Sequence, residues 1–179
     1  INFFDSPLFL NRNRGISAGQ RIIKRAFDLI LSILSMIVLS PLFLIIAICI
    51  KAEDRGPVFY KQERVTFRGR HFMILKFRSM IVDAEKDGTS IPAGEEDPRI
   101  TKVGKFIRAT RIDELPQLIN ILKGDMSVIG PRPQLVRDMV FMTPEQRQRH
   151  TARPGLSGLA QVSGRRDISF EERRALDIY

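Results

Sequence analysis

A chain of 179 residues and 20.5 kDa is the size of one domain, and 44% apolar against 27% charged side chains exclude a disordered polymer. A single cysteine, Cys49, excludes a disulfide framework and a cysteine-rich zinc site, and two histidines, His71 and His150, are too few for a metal cage. Twenty-nine Lys and Arg against twenty Asp and Glu leave +9, which points to an anionic partner: nucleic acid, anionic lipid or a phosphorylated substrate.

Residues 1–20 read as a tail or as the end of an upstream membrane region. Leu29 to Ile50 follows, twenty-two residues without a charge, long enough at about 1.5 Å per residue to cross a hydrocarbon core of roughly 30 Å. Arg21, Lys24 and Arg25 precede the run and Lys51 and Arg55 follow it, so the Lys/Arg asymmetry that orients a spanning helix is weak and both ends read as cytoplasmic. At its centre Ser40-Pro41 removes a backbone donor and offers a hydroxyl to the freed carbonyl. The expectation for residues 21–55 is therefore a helix-break-helix hairpin that enters and leaves by one face, with a kinked spanning helix as the alternative. Asp28 reads either as an interfacial cap or as a hydrogen-bond partner of the break.

Residues 56–179 form the cytoplasmic part. Pro57 to Met80 predicts a β-hairpin turning at Arg68-Gly69-Arg70, with Phe72, Ile74, Lys76 and Arg78 on one face and His71, Met73, Leu75 and Phe77 on the other. His71 reads as a surface or packing residue. Lys76 and Arg78 either face water or meet a phosphate. Residues 83–97 hold six acids and one lysine, a net −5 that leaves +14 on the rest, and read as a solvated surface loop. Lys102 to Ile112 is a basic amphipathic helix, able to lie among lipid headgroups or to pack on a core. Gln134 to Met142 predicts a further interfacial or core helix.

Asp113-Glu114-Leu115-Pro116 opens a short helix that Lys123-Gly124 closes. In the plain structural reading, Asp113 is its N-cap and Glu114 complements the helix dipole. In the chemical reading, the helix N-terminus attracts phosphate and keeps the carboxylates ionised, as nucleophiles and hard-metal ligands. Arg108 and Arg111 lie close enough upstream to offset the paired negative charges, and a pyrophosphate held by Mg²⁺ fits these requirements. Gly130-Pro131-Arg132-Pro133 fixes one arginine between two prolines, either as a rigid phosphate contact or as a structural turn. Arg153-Pro154-Gly155-Leu156-Ser157-Gly158 and Gly164-Arg165-Arg166 add glycines for close backbone approach and further cations.

Taken together, KFRSM, RATRIDELPQLINILKGDMSVIGPRPQL and RPGLSGLAQVSGR, behind a Ser-Pro-broken apolar segment, resemble the bacterial monotopic phosphoglycosyl transferases, the bacterial sugar transferase family, over residues 21–179. The resemblance implies an α/β fold, mostly helical with a small antiparallel β-hairpin. It also implies a re-entrant membrane hairpin with interfacial amphipathic helices, at the cytoplasmic face of a bacterial inner membrane. The implied reaction moves a sugar-1-phosphate from a nucleotide (UDP) sugar to undecaprenyl phosphate with Mg²⁺, releases the nucleoside monophosphate and begins capsule, exopolysaccharide, O-antigen or glycoprotein glycan assembly. By the same resemblance Asp113 is the nucleophile that forms a phosphosugar-aspartate and Glu114 is its partner for Mg²⁺ or for proton handling. Lys76, Arg108, Arg132 and Arg153 match cationic positions of the family and then grip phosphates, Arg78, Arg111 and Arg165 stand beside them as phosphate-binding candidates from the residue pattern alone, and Asp177 is a supporting carboxylate or third metal ligand. The implied partners are nucleotide sugar, undecaprenyl phosphate and membrane lipid, with no nucleic acid. Ser163 stands where some members have asparagine, which bears on substrate choice, and the family pattern is expected to continue beyond Tyr179. The competing reading is a non-catalytic, membrane-tethered basic module that binds anionic lipid or nucleic acid and uses Asp113 only as a cap.

Overall fold

The computed structural model describes residues 17–82, 84, 97–163, 172, 176 and 177, so the acidic stretch around Glu85–Glu96 and the Gly164-Arg165-Arg166 cations lie outside the described residues. The first helix, α1 (Ala18–Asp54), is 37 residues long. Ser17 and Gln20 start it with a reciprocal capping box, and Arg55, in the left-handed conformation at φ 56°, stops it.

The expected break at Ser40-Pro41 is corrected: α1 is helical throughout, with Pro41 inside it. Proline leaves the Ile37 carbonyl without its donor four residues on, and Ser40 Oγ donates to that same carbonyl at 2.8 Å. The hydroxyl replaces the lost bond, so the helix continues.

One stripe of α1 packs on the rest of the molecule along nearly its whole length. Arg25 donates to the Ile121 and Leu122 carbonyls at 2.6 and 2.9 Å, and Lys24 to the Ile129 carbonyl at 3.0 Å. Met36 and Phe43 cover the cluster of Phe72, Ile74, Leu118, Ile121 and Met126, while Ile46 and Ile50 join Phe77 and Ile107 in a second cluster. The rest of α1 is apolar and uncovered, from Ile22 and Ile23 through Phe27, Ile30, Leu34, Ile37 and Val38 to Ile48. At roughly 55 Å it is long and apolar enough to cross a membrane, and only 11% of its most apolar window is buried.

The predicted hairpin forms. Strands β1 (Phe59–Val65) and β2 (His71–Phe77) pair antiparallel, from Phe59 opposite Phe77 to Val65 opposite His71. Consecutive positive φ values at Arg68 (58°) and Gly69 (74°) make the tight turn whose twist suits two strands. Phe72 and Ile74 face the core as expected, and His71 is an exposed partner of Glu63.

Helix α2 (Lys102–Ala109) ends short of the expected Ile112, because Arg111 takes the left-handed conformation (φ 63°) and turns the chain. Its buried Ile107 and half-buried Val103 pack on α1, Phe106 stays exposed, and Glu53 accepts from the Lys102 and Val103 N–H groups at 2.7 and 3.1 Å. Helix α3 (Gln117–Lys123) closes at Gly124 (φ 92°) as predicted. Strand β3 (Ser127–Ile129) follows.

The predicted helix over Gln134–Met142 is corrected. Gln134–Leu135 forms strand β4 on the free edge of β1, in the sheet order β2-β1-β4, and Val136–Phe141 is a 3-10 segment with Val140 and Phe141 exposed. An available strand edge overrides helical periodicity here. After a short helix, α4 (Pro144–Arg147), strand β5 (Gly155–Ser157) pairs in parallel with β3, an element the antiparallel expectation lacked, and α5 (Leu159–Val162) follows.

Candidate active site

The chain reverses between α2 and α3 through a 3-10 turn, Ile112–Glu114, closed by Glu114 N–H to the Arg111 carbonyl (3.2 Å) and Leu115 N–H to the Ile112 carbonyl (3.1 Å). This corrects the capping role of Asp113. Pro116 occupies the N-cap position of α3, and no side chain caps that helix. Asp113 instead sits within the turn with a buried Oδ1 that has no hydrogen-bond partner.

Glu114 is held the other way. Its Oε1 accepts from Lys76 Nζ at 3.0 Å and lies 3.7 Å from the Arg132 guanidinium. Lys76 reaches it because the pleat of β2 puts Lys76 on the core face beside Ile74.

The two carboxyls consequently differ in acidity. Burial pushes the Asp113 carboxyl above the usual range, and the positive charges of Lys76, Arg108 and Arg111 only partly offset that and the neighbouring Glu114. Desolvation thus outweighs the favourable charges around Asp113, and its acidity shifts in the direction opposite to that of Glu114. Burial also acts on Glu114, yet Lys76 and Arg132 outweigh it and hold Glu114 below its ordinary value.

Beside Glu114 lies a shallow, open cleft lined by Arg64, Lys76, Glu114, Gln117, Arg132 and Gln161 among others, while Asp113 borders it only through its neighbour in the turn. Sequence reading missed Arg64 and the two glutamines. Arg64 was detectable once the turn fixed the hairpin register, since Arg64 lies opposite Phe72 and shares the sheet face of Lys76. Its Nε and Nη2 donate to Gln62 Oε1 at 3.2 and 2.6 Å and its Nη1 to the Pro133 carbonyl at 3.2 Å.

Other expected phosphate ligands are placed elsewhere. Arg78 is buried and paired with Asp54 at the end of α1, which removes it from the cleft. Arg108 and Arg111 act on Asp113 through charge. The Arg153 side chain is exposed. Asp177 accepts from Arg149 at 2.5 Å and from the Arg132 backbone N–H at 3.2 Å, so it braces the loop carrying Arg132. Asp28 neither caps an interface nor serves the Ser-Pro site, because it is buried and accepts from Ser127 Oγ (2.8 Å) and Val128 N–H (3.0 Å).

The glycines also serve packing. A Cβ at Gly130 would lie 2.3 Å from the Arg153 carbonyl oxygen, and one at Gly155 would lie 2.1 Å from the Gly130 nitrogen. They let the Arg132 loop and the Arg153–Gly158 loop pack backbone to backbone, which fixes one wall of the cleft.

Divalent metal chemistry can be tested against this donor set. Among the described residues no group of three or more His, Cys, Asp or Glu gathers to hold a metal. Asp113 and Glu114 are nevertheless adjacent hard oxygen donors, with the Asp113 Oδ1 unpartnered. Mg²⁺ commonly binds one or two carboxylates together with substrate phosphates and water, so the residues present fit it.

Comparisons with known proteins identify the family. The chain is 40% identical over 164 residues to an undecaprenyl-phosphate glucose phosphotransferase of Komagataeibacter xylinus, covering 87% of this chain and 30% of that protein. It is 39% identical over 172 residues to the exopolysaccharide production protein ExoY of Sinorhizobium fredii, covering 88% and 76%. It is 48% identical over 143 residues to a UDP-N-acetylgalactosamine-undecaprenyl-phosphate N-acetylgalactosaminephosphotransferase of Aeromonas hydrophila, covering 78% and 34%. The chain thus spans about a third of the length of two of these relatives and three quarters of the third. The bacterial sugar transferase model matches residues 19–179, from the start of α1 through the paired carboxylates and both glycine-bearing loops, and the chain belongs to that family.

Proposed function

We propose that this protein transfers a sugar-1-phosphate from a UDP-sugar to undecaprenyl phosphate through a covalent intermediate on Asp113, at the cytoplasmic face of a bacterial inner membrane. The observation that carries this reading is the division of labour in the carboxylate pair. Glu114 is locked to cleft cations, while Asp113 keeps a buried, unpartnered oxygen beside it. A poorly solvated carboxylate without a hydrogen-bond donor is more reactive than one in water.

In the first step an Asp113 oxygen attacks the sugar-bearing phosphorus. A P–O bond to Asp113 forms, the bond to the bridging oxygen breaks, and nucleoside monophosphate leaves with that electron pair. In the second step an oxygen of the lipid phosphate attacks the same phosphorus, breaks the bond to Asp113 and regenerates the carboxylate. Lys76 and Arg132 orient Glu114, and Arg132 faces the cleft where phosphate charge must be held. Asp113 and Glu114 would hold Mg²⁺, which when bound neutralises charge on the transferring phosphoryl group.

The two substrates differ in phase, one dissolved and one in lipid, so a covalent intermediate lets one site meet them in turn. The uncovered apolar face of α1 supports a position for this chemistry against the bilayer. A path that enters and leaves by one face is supported by contacts at both ends of α1, since Arg25 and Glu53 bond to the same domain; with α1 helical throughout, such a path would bend at Pro41 without breaking the helix. A helix spanning a core of roughly 30 Å would put those ends on opposite sides.

The decisive experiment is incubation with UDP-sugar without lipid acceptor, followed by intact-protein mass spectrometry. The expected result is a sugar-phosphate adduct on Asp113, with Asp113→Asn folded but forming no adduct and turning over at least about 1,000-fold more slowly. Full turnover by Asp113→Asn would eliminate the covalent role. The non-catalytic binding-module reading loses its main support, because Asp113 caps nothing.

A further inference from the structure

Arg64 is the cleft cation for which neither the sequence motifs nor the mechanism provides a role. It projects from the half-covered face of β1, with Gln62 bridging its Nε and Nη2 and the Pro133 carbonyl holding Nη1. Three of its five N–H donors are thus spent on fixing the plane of the guanidinium, and two remain. Among the described residues no carboxylate lies within ion-pair distance of it, although Glu114 lines the same cleft. That carboxylate is already shared by Lys76 at 3.0 Å and Arg132 at 3.7 Å. Arg64, Lys76 and Arg132 stand against Glu114 in the lining, and Asp138, outside it, adds one more negative charge near Arg64, so the cations still outnumber the carboxylates.

A surplus of this kind works against the free protein. Burial, and then the like charge of Arg132, lower the Arg64 pKa to about 10. Two guanidinium groups from separate elements, β1 and the loop before β4, are held near each other, and the Glu114 and Asp138 carboxylates that also act on Arg64 do not outweigh burial and the Arg132 charge. The Pro133 carbonyl ties Arg64 to the backbone next to Arg132, so the spacing of the pair is built in. A dianionic tetrahedral group placed between them would supply the missing charge and accept both forks.

We propose that Arg64 is a substrate-binding residue that, with Arg132, forms a two-arginine clamp for a phosphate group in the cleft. This rests on the sugar-phosphate transfer proposed above. Two sources share the chemistry: the phosphate that departs with the nucleoside, and the headgroup phosphate of the lipid acceptor.

The test uses the whole chain in lipid nanodiscs, with Arg64→Lys keeping the charge without the fork, Arg64→Gln removing both, and Gln62→Ala releasing the plane. KM for UDP-sugar and KM for undecaprenyl phosphate are measured separately, together with the affinity for uridine monophosphate alone. The expected result is a rise of about tenfold in one of the two KM values for Arg64→Lys, a larger rise for Arg64→Gln and a smaller one for Gln62→Ala. A rise in the donor KM with weaker uridine monophosphate binding assigns the clamp to the nucleotide phosphate. A rise in the acceptor KM with unchanged uridine monophosphate binding assigns it to the lipid phosphate. Folded variants whose KM values and nucleotide affinity match the parent overturn the clamp and leave the transfer reaction standing. If Arg64→Gln fails to fold, Arg64→Lys and Gln62→Ala decide alone. A parent protein that releases no monophosphate from any UDP-sugar overturns the underlying reading instead.

Discussion

Asp113 and Glu114 are neighbours in one turn with opposite electrostatics, and the difference has measurable consequences. Burial raises the Asp113 pKa while the Lys76 charge opposes that rise. The proposed covalent role requires an ionised Asp113, so the acid limb of the pH–rate profile is expected above the ordinary carboxylate range. Lys76→Gln should move that limb to higher pH, because removing the cation removes the largest influence lowering the Asp113 pKa. An unchanged limb in Lys76→Gln would show that the titrating group is not Asp113. Stability should respond in the opposite sense to a salt-bridged acid. A carboxyl whose folded-state pKa lies above its unfolded value destabilises the fold as pH rises through the interval between the two and beyond. Asp113→Asn should therefore melt at a higher temperature than the parent at neutral pH, with the gain vanishing below the unfolded carboxylate pKa.

Among the elements, β2 and α3 must keep a fixed relation, since Lys76 rides on one and Glu114 directly precedes the other. Asn120 enforces it. Its side chain is buried, with Oδ1 accepting from Leu75 N–H at 2.9 Å and Nδ2 donating to the Met73 carbonyl at 2.8 Å. The amide thus occupies the outer edge of β2 as a neighbouring strand would. Asn120→Ala leaves the Leu75 N–H and the Met73 carbonyl, both part-buried, without partners, and thermal unfolding should show a loss of roughly 1–3 kcal/mol. A loss under 0.5 kcal/mol would mean that water or backbone shifts replace the amide. At the N-terminal end of α1, the buried Asp28 plays a similar part by taking Ser127 and Val128 of β3.

For the whole molecule, the question is which path a 37-residue apolar helix packed on a basic domain takes at a membrane. Both ends of α1 are tied to the domain, through Arg25 to the end of α3 and through Glu53 to the start of α2. Single cysteines placed at Gly19 and Gly56, in a chain with Cys49 replaced by serine, should react with a membrane-impermeant thiol reagent from the same side of sealed inverted vesicles. Labelling from opposite sides would establish a spanning helix and disprove the re-entrant path.

Much of this protein was legible in its residues. The uncharged run from Leu29 to Ile50, the turn at Arg68-Gly69, the closure at Gly124 and the sheet face carrying Lys76 follow from local rules of hydropathy, backbone freedom and alternation. Those rules act over a few neighbouring residues, so the sequence by itself determined these local features and nominated Asp113 and Glu114, while β4 and the parallel β3–β5 pair needed distant partners. Only the tertiary structure decided what each charge does. Arg78 and Asp54, Arg149 and Asp177, and Asp28 and Ser127 found one another across 24, 28 and 99 positions, and Asp113 lost its capping role because Arg111 turned the chain early. Desolvation and ion pairing depend on which distant groups exclude water from a side chain, and that information exists only once the chain has folded.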